Sequence, residues 1–390
     1  MEQALIDNSI GILFILAGNC AFWFFLEKFT GWKLFGYFPP LVFIYAMPAI
    51  FSNVGIIPGD SGVYDWMGAN LLPVILALLL LDVDIRATVK VMGKGIFVML
   101  LGSLGIIIGA PIGYFLVKGW LEPEAWKGFG ALAGSWIGGT GNMAAVAEGL
   151  KTSGTYFGLA VIADNLVYLI WLPILLQSKN LAKYFNRFTG VSEERLNNIK
   201  VASDKLIIDK GKPAVHDILY LLALSLGVAY FSGLLAGFIP QFPPVLSTST
   251  YKILIVTTLG IMLSFSPARK IAGSQELAMA LLYLFVARMG AKAVVSGLAG
   301  QAIPFVAGAY IWIFIHGLFI LVAARIFHID IHTAAISSAA NIGGVASSPI
   351  VAAYHDERLV PVSILMALVG YAVGTYGAFL AAWLCSLVAG

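Results

Sequence analysis

One carboxylate lies in the middle of a long apolar segment. Asp164 falls within Gly154–Gln177, which contains no other charged residue. An ionised carboxylate inside a bilayer is costly, so such a residue marks an ion or proton pathway by default. A carboxyl in these surroundings can alternate between a protonated and a cation-bound state near neutral pH. Asn165 would supply a neutral oxygen beside it. The structural alternative is a neutral Asp bonded to a neighbouring helix.

Two glycine-broken apolar segments are candidates for the place where an ion and a solute bind. A break in a membrane segment survives only inside protein or beside a polar cavity. Consecutive glycines allow positive φ and free backbone groups from the helix ladder, and a restarting helix directs its positive dipole at an anion. Close helix packing through small residues is the alternative. The predicted substrate- or ion-binding residues are Gly138, Gly139, Thr140, Gly141, Asn142, Asn341, Gly343, Gly344, Ser347 and Ser348.

Two further titratable residues are predicted to take part in cation or proton coupling. Glu148 ends the first broken segment, and an interfacial salt bridge is its alternative role. His316 is centred in an apolar run, where an imidazole could relay a proton or, as a neutral ring, link two helices. Arg288 and Lys292 would either neutralise a carboxylate or extend to the membrane surface.

The elements that must position these residues are two series of six apolar segments. Segment 95–117 carries no charge and is long enough to cross about 30 Å of hydrocarbon as a helix. The polar stretch 177–215 between the series is predicted to be a cytoplasmic linker, so 1–176 and 216–390 are the two transmembrane repeats. The predicted segments are 8–26, 34–51, 66–84, 95–117, 129–149 and 154–176, then 216–239, 245–265, 276–297, 303–327, 331–354 and 359–388.

The two series resemble each other. Phe38-Pro39-Pro40 recurs as Phe242-Pro243-Pro244, and Ile137-Gly138-Gly139 recurs as Ile342-Gly343-Gly344. Both echoes are about 205 residues apart, and the apolar segments match at the same shift. We therefore predict a duplicated fold. Paired breaks at matching places in a repeated membrane protein are typical of a transporter's binding site.

The distribution of Lys and Arg predicts the orientation, because these residues resist translocation. The linker and loops 82–94 and 266–275 are basic, whereas loops 52–65 and 240–250 carry no Lys or Arg. Twelve full crossings would place some basic loops outside. If each broken segment enters and leaves on one side, each repeat crosses five times, the N-terminus is outside and every basic loop is inside. The predicted fold is an all-α integral membrane protein of two inverted repeats, each of about five transmembrane helices with a glycine-broken or re-entrant segment.

Composition excludes several classes of protein. Hydrophobic residues make up 60% of the chain, charged residues 11%, and the mean hydropathy is +0.92, which rules out a soluble domain. We find no catalytic constellation, no phosphate-binding loop, no His/Cys metal spacing and no basic stripe for nucleic acid. We therefore expect no enzyme, no resident cofactor or metal, and no nucleic-acid partner. Trp312 is expected to be a lipid-interface anchor.

The chain resembles a family of bacterial and plastid membrane proteins catalogued as domain of unknown function 819. The resemblance covers nearly the whole chain and rests on residues 80–86, 134–142, 264–269, 340–344 and 370–376.

More distant resemblances point to transport. Gly138-Gly139-Thr140-Gly141 is similar to the GGxG signature of sodium-coupled glutamate and citrate carriers, although the second copy ends in Ala346. Asp164-Asn165 resembles the Asp-containing pair of cation–proton antiporters and bile-acid-type symporters, in which only Asp164 would carry over as the titrating carboxylate. These resemblances imply a core domain that moves against a panel domain, often in a homodimer.

Our first hypothesis is a multi-pass carrier of the bacterial plasma or inner membrane that couples Na⁺ or H⁺ to the symport of a small organic solute. An anion, an amino acid or a short peptide would be such a solute. A Na⁺/H⁺ antiporter that uses Asp164 alone is the alternative. A membrane scaffold or receptor without transport activity is a third hypothesis.

Overall fold

A computed structural model of the chain describes residues 4–191, 211–294 and 300–390, and it is helical throughout these ranges with no extended strand. The helices of the first half are α1 Ser9–Thr30, α2 Pro40–Asn53, α3 Gly62–Leu81, α4 Ile85–Met92, α5 Gly95–Val117, α6 Ala125–Gly149, α7 Gly154–Gln177 and α8 Ala182–Thr189. Those of the second half are α9 Val215–Ala236, α10 Thr248–Ser264, α11 Ser274–Ala291, α12 Ala302–Phe327, α13 Ile331–Ile342, α14 Gly344–His355 and α15 Val360–Ala389.

The chain is a multi-pass membrane protein. Among the described residues, seven helices are long and apolar enough to cross a bilayer, namely α1, α3, α5, α7, α9, α12 and α15. Apolar helices α2 and α10 are shorter, and the 18-residue α11 contains charged residues. The ten predicted crossings would be these ten helices. Four basic residues of the predicted linker, Arg195, Lys200, Lys205 and Lys210, lie outside the described residues.

The first broken segment folds back on itself. Gly139 in α6 has φ 78° and ψ −177°, a conformation that is essentially restricted to glycine. A Cβ atom on Gly134 would strike the backbone of Asn142, and one on Gly130 would contact the side chain of Leu150. In a straight helix, Gly134 and Asn142 would be about 12 Å apart along the axis. Helix α6 is therefore a re-entrant hairpin with its tip at Gly139, called here the first hairpin.

The second broken segment has the same shape. His332 in the first turn of α13 and His355 at the end of α14 face each other with their Nδ1 atoms 3.0 Å apart. The two helices thus lie side by side, joined at Gly343 and Gly344. Gly344 has φ 56°, in the left-handed region that favours glycine. Helices α13 and α14 form the second hairpin.

The tips of the two hairpins meet. A Cβ atom on Gly344 would lie 3.7 Å from Cα of Gly139. The fold therefore brings together two breaks that are about 205 residues apart in sequence.

The helices contact one another mainly within two groups. Both hairpins pack with α5, α7, α12 and α15, which we call the core group. Helices α1, α2 and α3 pack with α9, α10 and α11, which we call the panel group. Within the panel group, the two halves make equivalent contacts. The second helix of each half packs on the third helix of the other half: α2 packs on α11, and α10 packs on α3. The direction of each repeat across the membrane stays a prediction.

Contacts between helix ends agree with the predicted sides of the membrane. Lys118, at a predicted outer end, donates to the carbonyl of Val388 at 2.6 Å. Lys179, at a predicted inner end, donates to the carbonyl of Tyr354 at 2.7 Å. Each pair joins two ends that the basic-loop analysis assigns to the same side.

Candidate functional site

Asp164 is bound to the first limb of the first hairpin. Ser135 Oγ donates to Asp164 Oδ2 at 2.9 Å, and Trp136 Nε1 donates to Asp164 Oδ1 at 2.9 Å. Each carboxylate oxygen therefore has one donor from the segment that leads to the Gly139 tip. Asp164 is half-buried, so part of its side chain is not covered by other residues and can be reached by a ligand.

Asp164 forms no ion pair with the described part of the chain. Among the described residues, no Lys, Arg or His nitrogen lies within 4.0 Å of Asp164. The two basic residues singled out from the sequence have other partners: Arg288 pairs with Glu148 at 2.7 Å and Lys292 with Asp65 at 3.2 Å. A carboxylate held by two neutral donors in apolar surroundings needs a proton or a bound cation to offset its charge.

Tyr168 extends the polar surface from Asp164 to the second hairpin. It follows Asp164 by one helical turn on α7, so the two side chains lie on the same face. Its hydroxyl is buried, has no hydrogen-bond partner at normal distance among the described residues, and faces Ser347 of α14. Helix α7 thus presents one polar group to each hairpin. Tyr168 was missed by the sequence analysis, although its spacing from Asp164 is a usable signal.

The glycine tip of the first hairpin is packed between the core and the panel. Gly138 lies against the backbone of Gly370 on α15, and Gly141 lies against Leu79 of the panel helix α3. Thr140, between them, is half-buried, and its hydroxyl has no partner in the described part of the chain. Of the polar side chains at this tip, Thr140 is therefore available to a ligand.

The two asparagines of the predicted site anchor the hairpins. Asn142 Nδ2 donates to the carbonyl of Tyr371 at 3.0 Å. The side chain of Asn341 lies 2.8 Å from Ser103 Oγ; with its oxygen toward Ser103, its nitrogen donates to the carbonyls of Met99 and Ser337. Both amides thus tie a hairpin to a core-group helix.

Ser348 and Asn165 also bond to backbone. Ser348 Oγ donates to the carbonyl of Ser363 on α15 at 3.2 Å, which turns it away from Ser347. Asn165 Nδ2 donates to Val161 within its own helix at 2.8 Å. Neither side chain bonds to Asp164 or to a hairpin tip.

Glu148 belongs to a separate cluster between core and panel. Arg288, which is 3% exposed, donates from Nη1 to Glu148 Oε2 and from Nε to the carbonyl of Tyr64, both at 2.7 Å. Gly68 packs directly over the Glu148 carboxylate and the Arg288 guanidinium. The structure places Glu148 in this ion pair, at the base of the first hairpin.

His316 closes a hydrogen-bond chain within the core group. Its Nδ1 lies 2.9 Å from the carbonyl of Gly102, and its Nε2 lies 2.9 Å from Ser338 Oγ. Because a carbonyl only accepts, Nδ1 carries the proton and Nε2 accepts from Ser338. Ser338 in turn accepts from Trp171 Nε1 at 2.9 Å. This arrangement uses both nitrogens of a neutral, fully buried imidazole, which does not contact Asp164.

Comparison with known proteins identifies relatives without an assigned function. Residues 12–387 match the family described as "Protein of unknown function (DUF819)". The chain is 28% identical over 359 residues to "Uncharacterized membrane protein YjcL" of Bacillus subtilis (strain 168). That alignment covers 87% of this chain and 88% of the relative.

Proposed function

The chain belongs to the family described as "Protein of unknown function (DUF819)", and from its geometry we propose that it is a cation-coupled secondary active transporter. It would reside in the bacterial plasma or inner membrane and carry a small organic solute together with Na⁺ or H⁺. One observation carries the proposal: two re-entrant hairpins meet at Gly139 and Gly344, and the first holds the carboxylate of Asp164, which has no ion-pair partner among the described residues.

Coupling would arise from the charge of Asp164. Its carboxylate accepts from Ser135 and Trp136 but lacks a basic partner among the described residues. A bound Na⁺ or a proton supplies the missing positive charge, which lets the site cross the apolar region in a neutral form. Because Ser135 and Trp136 lie on the limb that leads to Gly139, binding at Asp164 would change the first hairpin directly.

The solute would bind where the tips meet. The second limb of each hairpin begins at its tip, so the N-terminal ends of two helical limbs direct backbone amides and positive dipole to one place. These amides can donate to an anionic group on the solute, and the carbonyls that end the two first limbs at the same tips can accept from a cationic group. Thr140 and Ser347 supply hydroxyls close to the two tips. An organic anion, an amino acid or a short peptide has the required carboxylate.

Alternating access would be a movement of the core group against the panel group. Both hairpins and Asp164 belong to the core, so the whole site would move as one unit. The panel contacts the first hairpin through small or reversible contacts, such as Gly141 against Leu79 and the ion pair of Glu148 with Arg288. Such contacts permit rocking of one bundle against the other.

Purified protein reconstituted in vesicles that contain a pH-sensitive dye tests the proposal. Under an inward Na⁺ or H⁺ gradient, a symporter accumulates a solute from a panel of organic acids, amino acids and short peptides. Na⁺-driven proton efflux with no organic solute would instead identify an antiporter. Vesicles that respond to none of the cations or solutes, although the protein is folded and inserted, would contradict transport and favour a scaffold.

A further inference from the structure

A basic cavity of 410 Å³ lies between two loops of the predicted inner face. One wall is formed by α4 and the residues before it, and the other by the turn between α10 and α11. Its lining includes four cationic side chains, Arg86, Lys90, Arg269 and Lys270, together with Asp84 and Phe265. This cavity is separate from the site at the hairpin tips.

Of its four cations, one is in an ion pair, one lies over an aromatic ring, and two are exposed with neither kind of contact. Arg269 pairs with Asp84 at 2.7 Å, and the guanidinium of Arg86 lies 5.2 Å from the ring centroid of Phe265. Lys90 and Lys270 are exposed, and neither has a carboxylate within 4.0 Å among the described residues. The cavity therefore carries an excess of positive charge directed at solvent.

Helix α4 has the features of a helix that lies in the membrane surface. Arg86 and Lys90 are four residues apart and share an exposed face. On another face, Thr88 is fully buried and its hydroxyl lies 3.4 Å from the carbonyl of Leu365 on α15. Val89 is exposed beside the charged residues, as is Phe265 across the cavity. Charged and apolar groups exposed side by side suit the boundary between lipid headgroups and acyl chains.

We propose that this cavity binds a phosphate group, supplied by the headgroup of an anionic phospholipid in the inner leaflet. Arginine offers planar, paired donors to phosphate oxygens, and lysine adds a mobile positive charge. Basic pockets between transmembrane helices on the cytoplasmic side suit anionic headgroups. The exposed Val89 and Phe265 favour the lipid over a free phosphate, because they would contact its acyl chains.

Bound lipid would join parts of the molecule that belong to different groups. Helix α4 links panel helix α3 to core helix α5 and packs on α15, whereas Arg269 and Lys270 follow panel helix α10. An effect of the lipid on transport rests on the proposed function. Lipid binding does not rest on the proposed function, so an experiment can contradict either proposal and leave the other standing.

The test uses delipidated full-length protein titrated with phosphatidylglycerol or phosphatidylcholine, with bound lipid counted by native mass spectrometry. Lys90→Gln/Lys270→Gln removes the two lysines without a carboxylate partner. Lys94→Gln/Lys183→Gln removes the same charge from exposed positions outside the cavity. We expect the first pair to lower phosphatidylglycerol affinity about 25-fold, since each lysine near a headgroup contributes about fivefold. The second pair should change it less than about threefold.

Two results would overturn the proposal: equal affinity for both lipids, or an equal loss in both double variants. Titration with glycerol phosphate distinguishes a lipid headgroup from a soluble phosphate as the ligand. If it binds with the same dependence on Lys90 and Lys270 while phosphatidylglycerol binds no better, the cavity takes a soluble phosphate and the lipid assignment is wrong.

Discussion

The two hairpins share a shape but differ in chemistry. Each reverses at a glycine, and the tips touch at Gly139 and Gly344. The first hairpin contacts a carboxylate on the crossing helix that follows it, Asp164 on α7. About 205 residues further along the chain, the corresponding part of α15 has the uncharged Val369 and Gly370. In the proposed function, both hairpins would supply the scaffold, whereas ion coupling would depend on the first hairpin alone.

The backbone at the two tips also differs. Gly139 has φ 78° and ψ −177°, where side chains other than that of glycine are strongly disfavoured. Gly344 has φ 56°, in the left-handed region, which costs a residue with a Cβ atom about 1–2 kcal/mol. The first tip is therefore the more demanding of the two, and substitutions can separate them.

The largest effect is expected from substitution of the tips. Gly139→Leu and Gly344→Leu should each abolish transport while folded protein remains, because a leucine blocks the close approach of the tips. The comparison is sharpened by alanine, which adds only a Cβ atom: Gly344→Ala should retain a substantial part of the uptake rate because that Cβ would lie 3.7 Å from Cα of Gly139, and Gly139→Ala should lose at least about 100-fold, given the cost of its backbone conformation. Initial uptake rates normalised to folded protein decide this. Wild-type uptake rates in the variants of both glycines would show that the tips are packing features only.

A stability effect is expected at the base of the first hairpin, where Glu148 pairs with Arg288 of the panel group. The ion pair that follows the second hairpin, Asp356 with Arg358, joins two residues of the same turn. Glu148→Gln leaves the guanidinium of Arg288 buried without its carboxylate. We expect the free energy of unfolding to fall by about 2–3 kcal/mol, below the usual range for a buried pair because Glu148 is 27% exposed. Denaturant titration in detergent measures the loss. Glu124→Gln, at a surface ion pair with Lys127, is the matched control and should cost less than about 1 kcal/mol.

Removal of one donor to Asp164 should shift the pH dependence of transport. Ser135→Ala removes a hydrogen bond that favours the ionised carboxylate, so the protonated form persists to higher pH. We expect the pH profile of uptake to move upward by about one pH unit, the equivalent of one charge-assisted hydrogen bond. Ser348→Ala, in the second hairpin, removes a bond to the Ser363 carbonyl only and should leave the profile in place. A profile that is unchanged in Ser135→Ala, or shifted equally in both variants, argues against a special role for the first hairpin.

The smallest effect is expected at Asn165, although it adjoins Asp164. Its side chain bonds to Val161 of the same helix, so Asn165→Ala should change stability by less than about 0.5 kcal/mol and leave ion dependence unchanged. Uptake measured across a range of Na⁺ concentrations checks this. A severalfold change in the half-saturating Na⁺ concentration would place Asn165 in the site after all.

The sequence predicted the segments and their breaks better than the contacts between them. Each predicted apolar segment contains a helix, and the chain reverses direction at both glycine breaks. Trp312 was wrongly expected at the lipid interface: it is fully buried and donates to the carbonyl of Ile106. A helix that is apolar all round has no hydrophobic period to indicate which face packs inward. For the same reason, the pairing of Arg288 with Glu148 and the approach of Tyr168 to Ser347 could not be predicted.

In the proposed function, the carboxylate of Asp164, which is bound to the first hairpin, couples an ion to solute movement. Asp164→Asn tests it most directly, because Asn keeps the volume and much of the hydrogen bonding but removes the charge. Concentrative uptake and exchange at equal solute concentrations are measured in the same vesicles, with gel filtration and insertion as folding controls. We predict that ion-driven accumulation and its pH dependence disappear while solute exchange persists. An Asn variant that accumulates solute with unchanged ion and pH dependence would remove Asp164 from the mechanism.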